Sequence, residues 1–246
     1  MKDARSLDAE ALLSKSVWGL TESWSAIQSF RRVAKAGLPH ASEVITQENL
    51  AHANSVLRRL FPDNDVGSMA KAQTDRCLTD AQYAVDAASL VFAHSVTDAA
   101  AYDYCRVTAL ACPTAWESRL LGKQVSLADA MKYGSHFLLL RALAAHLRRD
   151  VERCSLPEKA DILHAVCRPP SGWRPPDLAA YSYDPARLRR LDCLRHKIVH
   201  NPGVPVTLGD MEGHLFYLNM TMFYLLDMVK DRCKVSVNLA HVFGSR

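Results

Sequence analysis

The chain has 246 residues, 49% of them apolar and 23% charged, which is long enough for one large folded domain and too apolar for a disordered segment. Thirty basic against 26 acidic residues leave a net charge of +4, too small an excess to establish nucleic-acid binding, so any basic patch must be local. Seven scattered cysteines without a CxxC pair read as reduced thiols and favour a cytoplasmic location. Acidic residues interrupt the first 20 positions, and the most apolar run, FLLLRALAAHL, is broken by Arg141 and His146 and is too short to cross a bilayer. Neither export nor membrane insertion is expected.

Ala, Leu and Arg dominate, apolar residues recur at spacings of three and four, and no set of alternating β-branched segments is present, which predicts an all-α fold. One helix is expected over about 47–60. FPDNDVGS follows it, with Pro62, Asn64 and Gly67 as turn residues, and divides an N-terminal helical region, 1–66, from a main bundle, 67–246. The next helix is expected from Thr74 to Cys112, stopped by Pro113 and interrupted near Ser95 to Thr97.

Ser126 with Asp129 forms an acidic variant of a capping box and opens a helix with a bend at Gly134. Ser155, Pro157 and Glu158 open a shorter helix. The proline-rich stretch 168–184 is a loop, after which Asp184 and Pro185 start a helix reaching Val199. Thr207 and Asp210 open a strongly apolar final helix.

On a wheel of about 100° per residue, Leu188, Leu191, Leu194, Ile198 and Val199 share a face of the penultimate helix, and Arg195 projects from that face. A guanidinium aimed into an apolar stripe must find an acid, pack its charge away or open onto a cleft. Asp98 and Asp103 on the long helix are candidate partners; His94 and Asp98 share a helix face at a spacing of four and either line the same cleft or, the preferred reading, form a core histidine beside a local acid. Pro202 forbids continuation of the helix and can redirect His200 toward Arg195.

Arg195-His196-Lys197-Ile198-Val199-His200, followed by a long apolar final helix, resembles the arginine-to-histidine signature of the HEPN family. The resemblance implies an up-and-down helical bundle that pairs as a homodimer with the two motifs facing each other. In many members it also implies a metal-independent endoribonuclease that needs no cofactor. Carried onto this chain, Arg195 is the phosphate-binding group, His200 the proton carrier, and His196 a second carrier or orienting residue. Attack by a ribose 2′-hydroxyl would leave a 2′,3′-cyclic phosphate and a free 5′-hydroxyl. A toxin or phage-defence role, restrained by an antitoxin or regulatory protein, is a further expectation of the resemblance.

The chemistry is reasonable on first principles. An imidazole titrating near pH ~6.5 exchanges protons at neutral pH, and a guanidinium fork matches two phosphate oxygens. Lys197, Asn201 and Arg190 are candidate substrate contacts. With Arg187, Arg189, Arg168 and Arg174 the basic residues can form a track for an RNA backbone, flanked by Trp173, Tyr181 and Tyr183 for stacking. The same cluster also fits a solvated helix end that complements the helix dipole. His164 with Cys167, and Cys193 with His196, have metal-ligand spacings but lie on helices without knuckle turns, so no metal site is expected. Phosphate-binding loops of the P-loop and dinucleotide types are absent from the sequence.

Overall fold

The computed structural model describes residues 4–52, 65–116, 149–167, 183–201 and 204–238, together with residues 55, 59 and 242. All regular structure among them is helical, and no described helix is long and apolar enough to cross a membrane.

Helix α1, Ala4–His52, begins far upstream of the helix expected over 47–60 and runs through Pro39. A proline removes one intrahelical amide, so continuity there rests on packing against the neighbouring helix. Helix α2, Val66–Ala111, also starts earlier than expected. Asp65 is its N-cap, accepting hydrogen bonds from the Gly67 and Ser68 amides at 3.0 and 3.3 Å, which satisfies donors that a helix start leaves orphaned. The interruption expected at Ser95 to Thr97 is absent. Both hydroxyls turn back onto their own helix, donating to the Val91 and Ala93 carbonyls at 2.8 Å each, so neither competes with the backbone ladder. Pro113 stops α2 and opens a 3-10 turn, Pro113–Trp116, whose buried indole donates to Thr108 Oγ1 at 3.2 Å.

Helix α3, Leu156–Cys167, is entered through the expected box: Glu158 Oε2 accepts from the Ser155 amide at 2.6 Å and from its hydroxyl at 2.9 Å. Helix α4, Pro185–His200, has Pro185 in its first turn and Asp184 as cap, which accepts from the Ala186 amide at 2.8 Å. Helix α5, Met211–Cys233, is capped by Asp210 at Gly213 and ends at Lys234 in the left-handed region, φ 52°. The box at Ser126 and Asp129, the bend at Gly134, and Arg168, Trp173, Arg174 and Tyr181 lie outside the described residues.

Helix α2 is the hub, touching all four other helices and the 3-10 turn. Leu13 and Ile27 of α1 belong to the same core as Leu90 and Tyr104 of α2, Leu163 of α3, Leu188 and Leu191 of α4, and Leu218 and Leu225 of α5. Residues on both sides of the boundary expected at 66 therefore share one core. Burying each such side chain contributes roughly 1.5–3 kcal/mol, and Leu188 and Leu191 are what seat α4. Leu194 and Ile198 are partly buried beside them. Val199 is not part of this seat: although only about 20° round the helix from the buried Leu188, it lies in the last turn of α4 and is 43% exposed. Arg187 anchors the other flank of α4, donating to the Gly213 carbonyl at 2.7 Å with its guanidinium 4.7 Å from the Tyr217 ring.

Candidate functional site

Where α2, the start of α3 and α4 meet, the surface opens into a polar cleft of about 380 Å³. Helix α2 contributes His94, Ser95 and Asp98; the approach to α3 contributes Arg153 and Ser155, and its first turn Glu158; α4 contributes Asp192, Arg195 and His196. The helical repeat explains the last group. Measured from Leu191, Arg195 lies at about 40°, Asp192 at about 100° and His196 at about 140°, so all three fall on one flank of the helix.

Arg195 is half-buried, its Nε is shielded from solvent without a hydrogen-bond partner, and no described carboxylate forms an ion pair with it. The acids around it are engaged elsewhere. Asp98 receives Lys159 Nζ on both oxygens at 2.7 and 2.8 Å, Glu158 caps α3 through Ser155, and Asp192 Oδ1 lies 3.0 Å from His94 Nε2. Asp103, the other partner considered for Arg195, pairs with Arg106 at 2.9 Å. Arg195 thus looks into the cleft with its charge uncompensated by a direct partner.

His94 is 2% exposed, and its acid is Asp192 from α4 instead of the expected Asp98 on its own helix. Its ring N–H is not aligned along the 3.0 Å contact, so neither ring nitrogen makes a hydrogen bond with good geometry. Burial pushes the His94 pKa below the usual imidazole value; the Asp192 carboxylate opposes this, and the Arg195 guanidinium adds to it.

His196 lines the cleft, and its ring stands 4.2 Å from that of His200 at a 40° tilt. The backbone does not swing His200 toward Arg195 as expected. His200 is the last residue of α4, with Asn201 as cap, and at about 180° from Leu191 its exposed ring meets His196 instead. The structure therefore joins Arg195, His196 and His200 through His196.

The candidate substrate contacts are not brought to the cleft. Lys197 and Asn201 are exposed, Arg190 faces Asp184 at 3.4 Å, and none of the three is among the lining residues. Arg189 pairs with Asp161 at 3.1 Å and Arg187 is locked on α5, so these arginines form no continuous track. Tyr183 stacks between core rings, 4.6 Å from Tyr224 and 5.2 Å from His164. Among the described residues no three His, Cys, Asp or Glu side chains gather in a metal-binding arrangement.

Sequence reasoning missed Arg153, Ser155 and Asp192 as cleft residues. Asp192 alone carried a local signal, its position three residues before Arg195. Comparison of the chain with protein-family models, with curated proteins and with solved structures finds no match. The site is therefore interpreted from its own geometry.

Proposed function

We propose that the chain is a metal-independent endoribonuclease whose cleft holds an RNA phosphate on Arg195. The observation that carries this reading is the unpaired, half-buried Arg195 guanidinium beside His196, which in turn contacts His200. A guanidinium in a partly desolvated site gains most when charge accumulates on the phosphate oxygens, which is the condition for lowering a transition state. In the proposed reaction an imidazole takes the proton of the ribose 2′-hydroxyl, the 2′-oxygen bonds to phosphorus, and the 5′-oxygen leaves with a proton. The products are a 2′,3′-cyclic phosphate and a 5′-hydroxyl end.

In-line displacement requires the proton acceptor and the proton donor on opposite sides of phosphorus. His196 and His200 are adjacent rings on one face of α4, 4.2 Å apart, so a second copy of the chain facing the first is the natural source of the opposing group. That same one-sided placement supports a rival reading, a helical binding or dimerisation module that holds a phosphate without cleaving it.

The test incubates purified protein with mixed RNA in EDTA and analyses the new ends. Chelator-resistant cleavage giving cyclic phosphates, lost in Arg195→Ala and in His196→Ala or His200→Ala, is the expected outcome. Undiminished cleavage by Arg195→Ala would overturn it, and RNA binding without cleavage would leave the binding module.

A further inference from the structure

We infer that His94 is a positioning residue for Arg195: by engaging Asp192 it keeps that carboxylate from closing on the guanidinium three residues later, and so keeps the cleft open to an anion. The inference rests on the reading of the cleft as a phosphate site.

The chain contains its own comparison. An aspartate followed three positions later by a cation closes into an ion pair at Asp103 and Arg106 (2.9 Å), at Asp227 and Lys230 (3.2 Å), and at Asp231 and Lys234 (3.0 Å), whereas Asp184 and Arg187, at the same spacing, stay apart because each has another partner, Arg190 for the acid and the Gly213 carbonyl for the cation. Pairing is the ordinary behaviour of neighbours on one helix face. Asp192 and Arg195 have the same spacing and do not pair. As at Asp184, a competing partner is present: His94, which reaches Asp192 from α2 at 3.0 Å.

His94 suits this role because it cannot drift. It is 2% exposed and sits in the hub helix, packed against α1, α3, α4 and α5. The other groups around it are already committed or lie further out. Asp98 is held by Lys159 and Glu158 by Ser155, while Arg153 and His196 stand on the open side of the cleft. Asp192, at 27% exposure, is the one lining carboxylate that gains a close cation if His94 releases it. Its collapse onto Arg195 would place an anion where the phosphate is to bind.

The experiment measures binding of a fluorescein-labelled single-stranded oligoribonucleotide in EDTA by anisotropy. His94→Leu should weaken binding by about 10-fold or more, since tenfold corresponds to about 1.4 kcal/mol, the scale of one partly buried ion pair. Asp192→Asn removes the competing charge and should tighten binding about 2- to 5-fold, and the double variant should regain at least wild-type affinity. If His94 is merely structural, the double variant stays as weak as His94→Leu, and the inference is overturned.

A second readout does not depend on RNA. An NMR titration of the His94 ring in the otherwise native protein should show its pKa moving further down in Asp192→Asn and up in Arg195→Ala. No movement in either variant overturns the inference even if RNA binds. A wild-type protein that ignores RNA while His94 shifts as expected defeats the ribonuclease reading and leaves the His94, Asp192 and Arg195 coupling standing.

Discussion

The Lys159 ammonium lies 2.7 and 2.8 Å from the two carboxylate oxygens of Asp98, with the Lys159 side chain only 4% exposed. The pair ties α3 to α2 at the wall of the cleft and occupies the acid that would otherwise be a natural partner for Arg195. Removing Asp98 strands a buried ammonium, whereas removing both charges does not. Because Asp98 is about a third exposed, water softens the penalty, and Asp98→Ala should cost about 2 kcal/mol in urea denaturation. Lys159→Met should cost less. A variant Asp98→Ala as stable as the wild type would show that the ammonium is solvated after all.

Asp184 closes the start of the helix that carries the site. Its side chain accepts from the Ala186 amide at 2.8 Å, and its carbonyl accepts from Tyr217 Oη at 2.6 Å. Asp184→Ala deletes only the first of these, so a loss of about 1 kcal/mol is expected, with Asp184→Asn largely restoring it. Hydrogen exchange localises the effect: amides in the first turn of α4 should exchange faster. Unchanged protection there would mean that Pro185 and the Tyr217 contact suffice to start the helix.

Burial, the largest influence on both, holds His94 and His214 below the ordinary imidazole pKa. Below pH ~6.5 the unfolded chain then binds more protons than the folded one, so stability falls as the pH drops toward the folded-state values. Glu212, held low chiefly by its hydrogen bond to Arg31, and Glu158, held low by Ser155, add losses in more acidic solution, beginning near pH ~4.3. Urea midpoints measured from pH 8 to 5 should decline below about 6.5. A flat or rising profile between pH 7 and 5.5 would contradict the burial of the two rings.

Three cysteines meet at one end of the bundle, where α2, α3 and α5 terminate: Cys112, Cys167 and Cys233. Cys112 is held below the ordinary thiol value, chiefly by its hydrogen-bonded partner Cys233, while burial pushes Cys167 up to about 12. Since the thiolate is the reactive form, iodoacetamide at pH 7.5 should label Cys112 well ahead of Cys167 in the native protein. Mass spectrometry of tryptic peptides reads the order. Equal labelling of the two under native conditions would refute it.

The elements that were legible in the sequence share a local cause. Ser155 with Glu158, Asp184 with Pro185, and Asp210 each cap a helix through atoms within three residues, so residue order alone locates those starts. Where the reading failed, packing had intervened. Helix α1 continues through Pro39, and Ser95 and Thr97 return their hydroxyls to the carbonyls of their own turn, in helices held by a shared core. Val199 is exposed although it shares the wheel position of buried Leu188, because a wheel cannot say how far along the helix the packing partners reach.

The order of residues by itself determined that the chain is helical and that a charged group, Arg195, interrupts the stripe that seats α4, because periodicity and side-chain chemistry are properties of neighbours along the chain. Only the tertiary structure decided that this group would remain unpaired. Its would-be partner Asp192 is in contact with His94, and Asp98 with Lys159, across helix contacts that bring together residues far apart in sequence. An ion pair is chosen by distance in space, and that distance does not exist until α2, α3 and α4 have packed.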